Sequence, residues 1–251
     1  MSRALPRPCS VTFTSPPRIE SRAISRRILL IQTGIGPDKA RSTARKIFEN
    51  ESWDVVISTG FAGALNFFPV GSLVIGNEVL LEPSVHSLSD SYEQRIMCHP
   101  DWVNTSFNIP LQMNPPLQNG RFVTIDHVLT HASQKKNLGN QTGAVAVDME
   151  SGAIGLVAQQ HGIPFLIVRA ISDGVNEDLP VDFNLFLKPS GWVGGMRQVL
   201  STPRCWKEFF RLYRNSQHAG LQLSRFFKTF FETVPMNVST STTTKTGVLH
   251  P

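Results

Sequence analysis

The stretch from Ala144 to Asp173, AVAVDMESGAIGLVAQQHGIPFLIVRAISD, constrains the fold of this chain more than any other. A short apolar run, Ala144 to Val147, meets three unlike residues, Asp148, Met149 and Glu150. Met149, Ala153, Leu156, Val157 and Gln160 then recur at helical spacing, and Gly162 and Pro164 end the pattern. Phe165 to Ala170 is apolar and partly β-branched, bounded by a proline and a polar pair, and predicts a buried parallel strand. In open α/β sheets ligands gather at the carboxyl ends of strands, so Asp173 and the Met149–Glu150 pair stand where a small molecule is expected.

Order along the chain begins at Arg27. Ile28 to Gln32 reads as a strand, Gly34 and Gly36 as a tight turn, and Pro37 with Asp38 as the start of a helix to about Asn50. The Gly34-Ile35-Gly36 turn is not a dinucleotide fingerprint, because Lys39 stands at the third glycine position and no acid follows a second strand at the required distance. Val55 to Ser58 predicts a strand running into STGFAGAL, whose small residues let backbone amides approach a ligand. Further strands are read after Val70 and at Arg121 to Ile125, with an amphipathic helix around Asp101 to Phe107. Lys135 and Lys136 read as a solvated helix face. His86 and His99 sit in loops with no partner identifiable.

VDMESGAIGLVAQQHGIPFLIVRAISD resembles the signature of the nucleoside phosphorylase and nucleosidase superfamily, which cleaves the bond between a base and its ribose. TGIGPDKARSTARKIF, PVGSLVIGNEVLLE and GRFVTIDHVLTHASQKKNL are similar to other segments of it. The resemblance implies a single-domain, three-layer α/β/α fold with a mixed twisted central sheet. It implies that Met149 and Glu150 grip the ribose and that Asp173 serves the purine. Phe61, Ala62, Gly63, Val128, Leu129 and Ser172 would surround the base, and Gly34 and Gly36 would lie at the phosphate or water site. It also implies a homodimer and no cofactor or metal, with water or phosphate as second substrate. The family ordinarily opens with a strand and a loop bearing a glutamate that positions water. Glu20 is the only acid among residues 1–27, and its surroundings do not match. A catalytically silent nucleoside-binding protein is therefore a second reading. Phosphorylases often carry an arginine before the STGFAGAL loop; Val55, Val56, Ile57 and Ser58 stand there, which favours water, or a phosphate site built from residues such as Arg41.

The residue chemistry agrees. Breaking an N-glycosidic bond leaves electrons on the base and positive charge on the sugar. Asp173 at purine N7 would do general-acid work, worth about 10²- to 10⁴-fold, and an ionised Glu150 would accept the ribose hydroxyls and steady an oxocarbenium-like sugar. Each acid alone also fits an ordinary helix-start or turn-capping role. The functional reading therefore requires both side chains to converge on one cavity.

Composition bounds the rest. A chain of 251 residues, 41% hydrophobic, buries a full core. The net charge of +5 is uneven: residues 1–27 hold six arginines, and Arg197 to Lys228 holds seven Lys or Arg against Glu208. No nucleic-acid-binding module accompanies these charges. Cys9, Cys98 and Cys205 form neither a disulfide framework nor a zinc pattern, which points to a cytoplasmic protein. Residues 1–27 are expected to be a disordered extension or a mis-assigned start, 28–190 the catalytic domain, 191–232 basic amphipathic helices, and 233–251 a disordered tail. The 191–232 segment, with Phe209, Phe210, Leu212 and Tyr213 beside Lys207, Arg211 and Arg214, then Phe226, Phe227, Phe230 and Phe231 beside Arg225 and Lys228, resembles the C-terminal extension of the hopanoid-associated phosphorylase branch, which acts on an adenosyl lipid. That resemblance implies adenine as the leaving base and an adenosyl lipid as the first choice of substrate, with a 5'-methylthioadenosine/S-adenosylhomocysteine nucleosidase-like hydrolase as an alternative. The aromatic faces of the segment would either pack on the core or on a second subunit, or lie on a membrane surface as a peripheral contact.

Overall fold

The computed structural model describes residues 27–49, 51–82, 94–179 and 203–234. The arginine-rich extension up to residue 26, His86, the lid-like turn beyond Leu179 and the polar tail lie outside the described residues. The chain divides into two units, Met1–Gln32 and Thr33–Pro251. In the first, residues 27–32 form no strand, which corrects the reading of Ile28 to Gln32. An apolar run becomes a strand only when a neighbour takes up its amides and carbonyls; Ile28, Leu29 and Leu30 are each more than half exposed.

The second unit holds six strands and five helices among the described residues: α1 (Pro37–Phe48), β1 (Val56–Ala64), β2 (Leu73–Leu81), β3 (Gln94–Met97), α2 (Pro100–Phe107), β4 (Gln118–Thr124), α3 (Ala132–Thr142), β5 (Ala146–Asp148), α4 (Ser151–Gln160), β6 (Phe165–Asp173) and α5 (Pro203–Thr233). The sheet is mixed, in the order β3-β2-β4-β5-β1-β6, and curls until β6 also pairs with β2. One edge of β2 is shared, Leu73–Gly76 bonding to β6 and Glu78–Leu81 to β3. β1 and β6 run parallel, as do β2, β4 and β5, and the two sets meet antiparallel where Gly63 pairs with Val147 and Ala64 with Ala146. The carboxyl ends of both sets therefore face one common space.

Apolar residues fill both faces of the sheet. Val74, Phe122, Ala146, Ile167 and Ile171 are buried with Ala158 of α4. On the other face Leu73, Ile75, Leu166 and Val168 pack against Ala219, Phe226 and Phe230 of α5. Phe226 stacks on Phe230 at 5.5 Å between centroids, and Trp102 of α2 tilts onto Phe230 at 6.2 Å. Phe210, Tyr213 and Leu221 on the same helix are exposed.

Candidate active site

The space between the two sets of strand ends is a cavity of about 320 Å³. Its walls bring together Phe61, Ala62 and Gly63 from β1, Val128 and Leu129 after β4, Met149 and Glu150 after β5, and Ser172 and Asp173 at the end of β6. Residues 150 and 173 thus face the same cavity. Gly34 is not in its wall, and the Gly36 amide is taken up by Glu150 Oε1 at 3.1 Å. Gly36 has a φ of 98°, a conformation that glycine adopts without strain, and it turns the chain into Pro37 so that the start of α1 points at the Glu150 carboxylate. Arg41 is outside the cavity wall, beside Glu82 and Asp126 in a small separate recess.

β5 ends in Asp148, whose Oδ1 organises the turn into α4. It accepts from Thr124 Oγ1 at 2.6 Å and from the amides of Glu150 and Ser151. Asp148 therefore holds the helix start, while the neighbouring Glu150 side chain is left to the cavity. Burial pushes the Glu150 carboxyl group above its ordinary value of 4.5, against the lowering effect of Arg169.

Arg169 was legible in the sequence but not singled out. A guanidinium inside the apolar run FLIVRAIS requires buried partners, and it has them. Arg169 Nε and Nη2 donate to Ser151 Oγ, Nη2 to Ser58 Oγ, Nη1 to the Phe61 carbonyl, and both Nη atoms to Glu150 Oε2 at 3.4 Å. Nε lies 3.1 Å from Asp148 Oδ2, close enough to pair charge while directing its hydrogen at Ser151. Gly60 gives this fork room, since a Cβ there would stand 2.9 Å from Nη1.

Lys135 overturns its reading as a solvated residue; its neighbour Lys136 is exposed. Only 1% of the Lys135 side chain is exposed, and its Nζ lies 2.5 Å from Asp173 Oδ2. The other Asp173 oxygen accepts from Ser172 Oγ at 2.7 Å. The reversal comes from tertiary packing: the turn after β6 folds over the first turn of α3, where Leu179 donates to the Thr130 carbonyl and Ala132 to Asp178 Oδ1.

Among the described residues one group has metal-binding spacing, Glu82, Asp126 and His127, with ligand atoms within 4.8 Å of one another. His127 Nδ1 pairs with Asp126 Oδ1 at 2.9 Å, and burial raises the Glu82 carboxyl group. His99 stands at the residue before α2 with no side-chain bond to the helix start, and it does not line the cavity.

A model of the phosphorylase superfamily matches residues 18–188. The 5'-methylthioadenosine/S-adenosylhomocysteine nucleosidase of Staphylococcus epidermidis is 28% identical over 170 residues, covering 64% of this chain and 74% of its own. The enzyme of the same name from Shewanella halifaxensis is 25% identical over 195 residues, covering 73% of this chain and 84% of its own. The crystal structure of S-adenosylhomocysteine nucleosidase from Streptococcus pyogenes, in complex with 5-methylthiotubericidin, matches with a TM-score of 0.61 at 19% identity, covering 81% of this chain and 78% of that one.

Proposed function

Given that this chain belongs to the phosphorylase superfamily and is an enzyme of the nucleosidase or phosphorylase type, we propose that its cavity hydrolyses the N-glycosidic bond of an adenine nucleoside. The observation that carries the reading is the convergence of Glu150 and Asp173 on one cavity of about 320 Å³, within the range of small-ligand sites. The purine lies among Phe61, Val128 and Leu129, and Met149 covers the apolar face of the sugar. Glu150 accepts the ribose hydroxyls and opposes the positive charge that develops at C1′. As the C1′–N9 bond breaks, its electron pair goes to the purine and N7 takes a proton from Asp173. Water then adds to C1′ and gives up a proton, which by way of solvent restores the acid form of Asp173 for the next turnover.

Charge favours water over phosphate. The Arg169 fork is engaged by Ser58, Ser151, the Phe61 carbonyl and Glu150. A phosphate would have to displace these partners beside the Glu150 carboxylate, which repels it. The nucleosidases similar to this chain are named for 5'-methylthioadenosine and S-adenosylhomocysteine, and a thioether on the ribose 5′ carbon is the first choice of substrate.

A larger apolar 5′ group is a second reading, favoured by the cavity rim. Ile35 and Phe61 line it while 60% and 44% exposed, and a Cβ on Gly220 of α5 would reach within 3.9 Å of the Phe61 ring. Exposed Phe210, Tyr213 and Leu221 continue along that helix, consistent with an adenosyl lipid approached at a membrane surface. A higher kcat/KM for an adenosyl group bearing a long alkyl chain than for 5'-methylthioadenosine would select this reading.

The direct test of the shared mechanism is Asp173→Asn. It should lower turnover at least about 10²-fold while leaving the unfolding midpoint near that of the parent. Undiminished turnover would remove Asp173 as the acid.

A further inference from the structure

α3 offers no sequence signal for burial, yet Lys135 in its first turns is among the most deeply buried side chains of the protein. A buried ammonium is costly unless every hydrogen finds an acceptor. Here each does: Nζ donates to Asp173 Oδ2, to the Gly174 carbonyl at 3.0 Å and to the Glu177 carbonyl at 3.0 Å. The turn it touches is already anchored without it. Leu179 donates to the Thr130 carbonyl at 2.8 Å, Ala132 donates to Asp178 Oδ1 at 2.7 Å, and the Gly174 amide donates to Glu177 Oε2 at 3.2 Å. The turn thus has bonds that do not involve Lys135, and beyond its two carbonyl contacts Lys135 adds the cation against Asp173.

The carboxyl group is held from the remaining sides as well. Ser172 Oγ donates to Oδ1, and Gly63 lies alongside, where a Cβ would stand 3.2 Å from Oδ2. Lys135 and Asp173 both reach the cavity wall. We propose that Lys135 is a positioning residue for the leaving group: it fixes the plane of the Asp173 carboxyl group and neutralises the carboxylate that remains once the proton has passed to the purine. The inference rests on the reading of Asp173 given above. The step balances. Asp173 enters the step as the neutral acid, accepting from Lys135 and Ser172 while carrying its own proton; the C1′–N9 pair moves to the base, N7 gains that proton, and the ammonium keeps its charge throughout. A cation already in place costs no reorganisation as the carboxylate forms, and a fixed carboxyl plane keeps the proton on line with N7.

The test uses the full chain, with 5'-methylthioadenosine and adenosine as probes and free adenine as the readout. Lys135→Met removes the charge at similar volume and should lower kcat about 10²-fold or more with KM changed less than about threefold. Lys135→Arg restores the cation and should recover at least about a tenth of the parent kcat. A Lys135→Met variant with kcat within about threefold of the parent, a loss confined to KM, or a folded Lys135→Arg as slow as the methionine variant would each overturn the proposal. Should Lys135→Met fail to fold, the arginine variant decides by the same one-tenth limit, below which the proposal falls. Asp173→Asn, measured alongside, separates the two claims. Full activity in that variant sinks the acid itself, whereas a dead Asp173→Asn beside an undiminished Lys135→Met sinks only the part given to Lys135.

Discussion

Glu150 is the residue whose surroundings make the sharpest prediction. Its carboxyl group is raised above 4.5 by burial, with Arg169 as the main opposing influence. The native state therefore binds its proton more tightly than the unfolded chain does. Its contribution to stability is greatest at low pH and declines as pH rises from 4.5 through the native value. Ribose binding needs the opposite, ionised form, so the acid limb of kcat/KM should lie above 4.5. Arg169→Met should move that limb further up, since the cation that lowers Glu150 is gone; a pH–rate profile checks it, and a limb that stays put contradicts the coupling. Glu150→Gln should reduce kcat/KM by about 10²-fold or more and flatten the decline of unfolding free energy with pH. Cys98 gives a simpler check: burial pushes its thiol up to about 12, so it should resist alkylation at pH 8 until the protein is unfolded. Much of the cavity wall could be read at this scale, because Asp173, Met149 and Glu150 stand where recognisable strands end. Lys135 could not, since ASQKKNLGNQT carries no apolar stripe and its burial arises from a turn some forty residues later. Arg169 could have been, from the charge alone within an apolar strand.

Among the elements, α5 separates two roles along one helix. Phe226 and Phe230 are almost wholly buried against β2 and β6, whereas Phe210 is 62% and Tyr213 56% exposed. Phe226→Ala should cost about 3–5 kcal/mol of stability, and Phe210→Ala within about 0.5 kcal/mol. Denaturant unfolding of the two variants tests this, and equal losses would mean that the helix packs in another register. The sequence left the choice between core and membrane surface open, since aromatic residues beside arginines fit either; packing assigns Phe226 and Phe230 to the core. β1 was underread for a physical reason. STGFAGAL looks like a loop because glycine and alanine carry little strand propensity, but the β6 ladder carries β1 through to Ala64 across an irregularity at Ala62 and Gly63.

At the scale of the whole molecule, the cavity exists because two oppositely directed sets of strands meet at the short β1–β5 overlap. No local pattern encodes that meeting; periodicity supplied the strands, and the resemblance supplied a mixed sheet without the extra β2–β6 pairing that closes it. Among the described residues no helix is long and apolar enough to cross a membrane. The central claim is that this closed arrangement sets one acid at the base and one at the sugar of a bound nucleoside. Incubating the full chain with 5'-methylthioadenosine, with and without phosphate, and identifying both products tests it most directly. The account predicts free adenine and an unphosphorylated sugar at a rate phosphate changes by less than about twofold. Tight nucleoside binding with no adenine released, or a sugar 1-phosphate as the product, would contradict it.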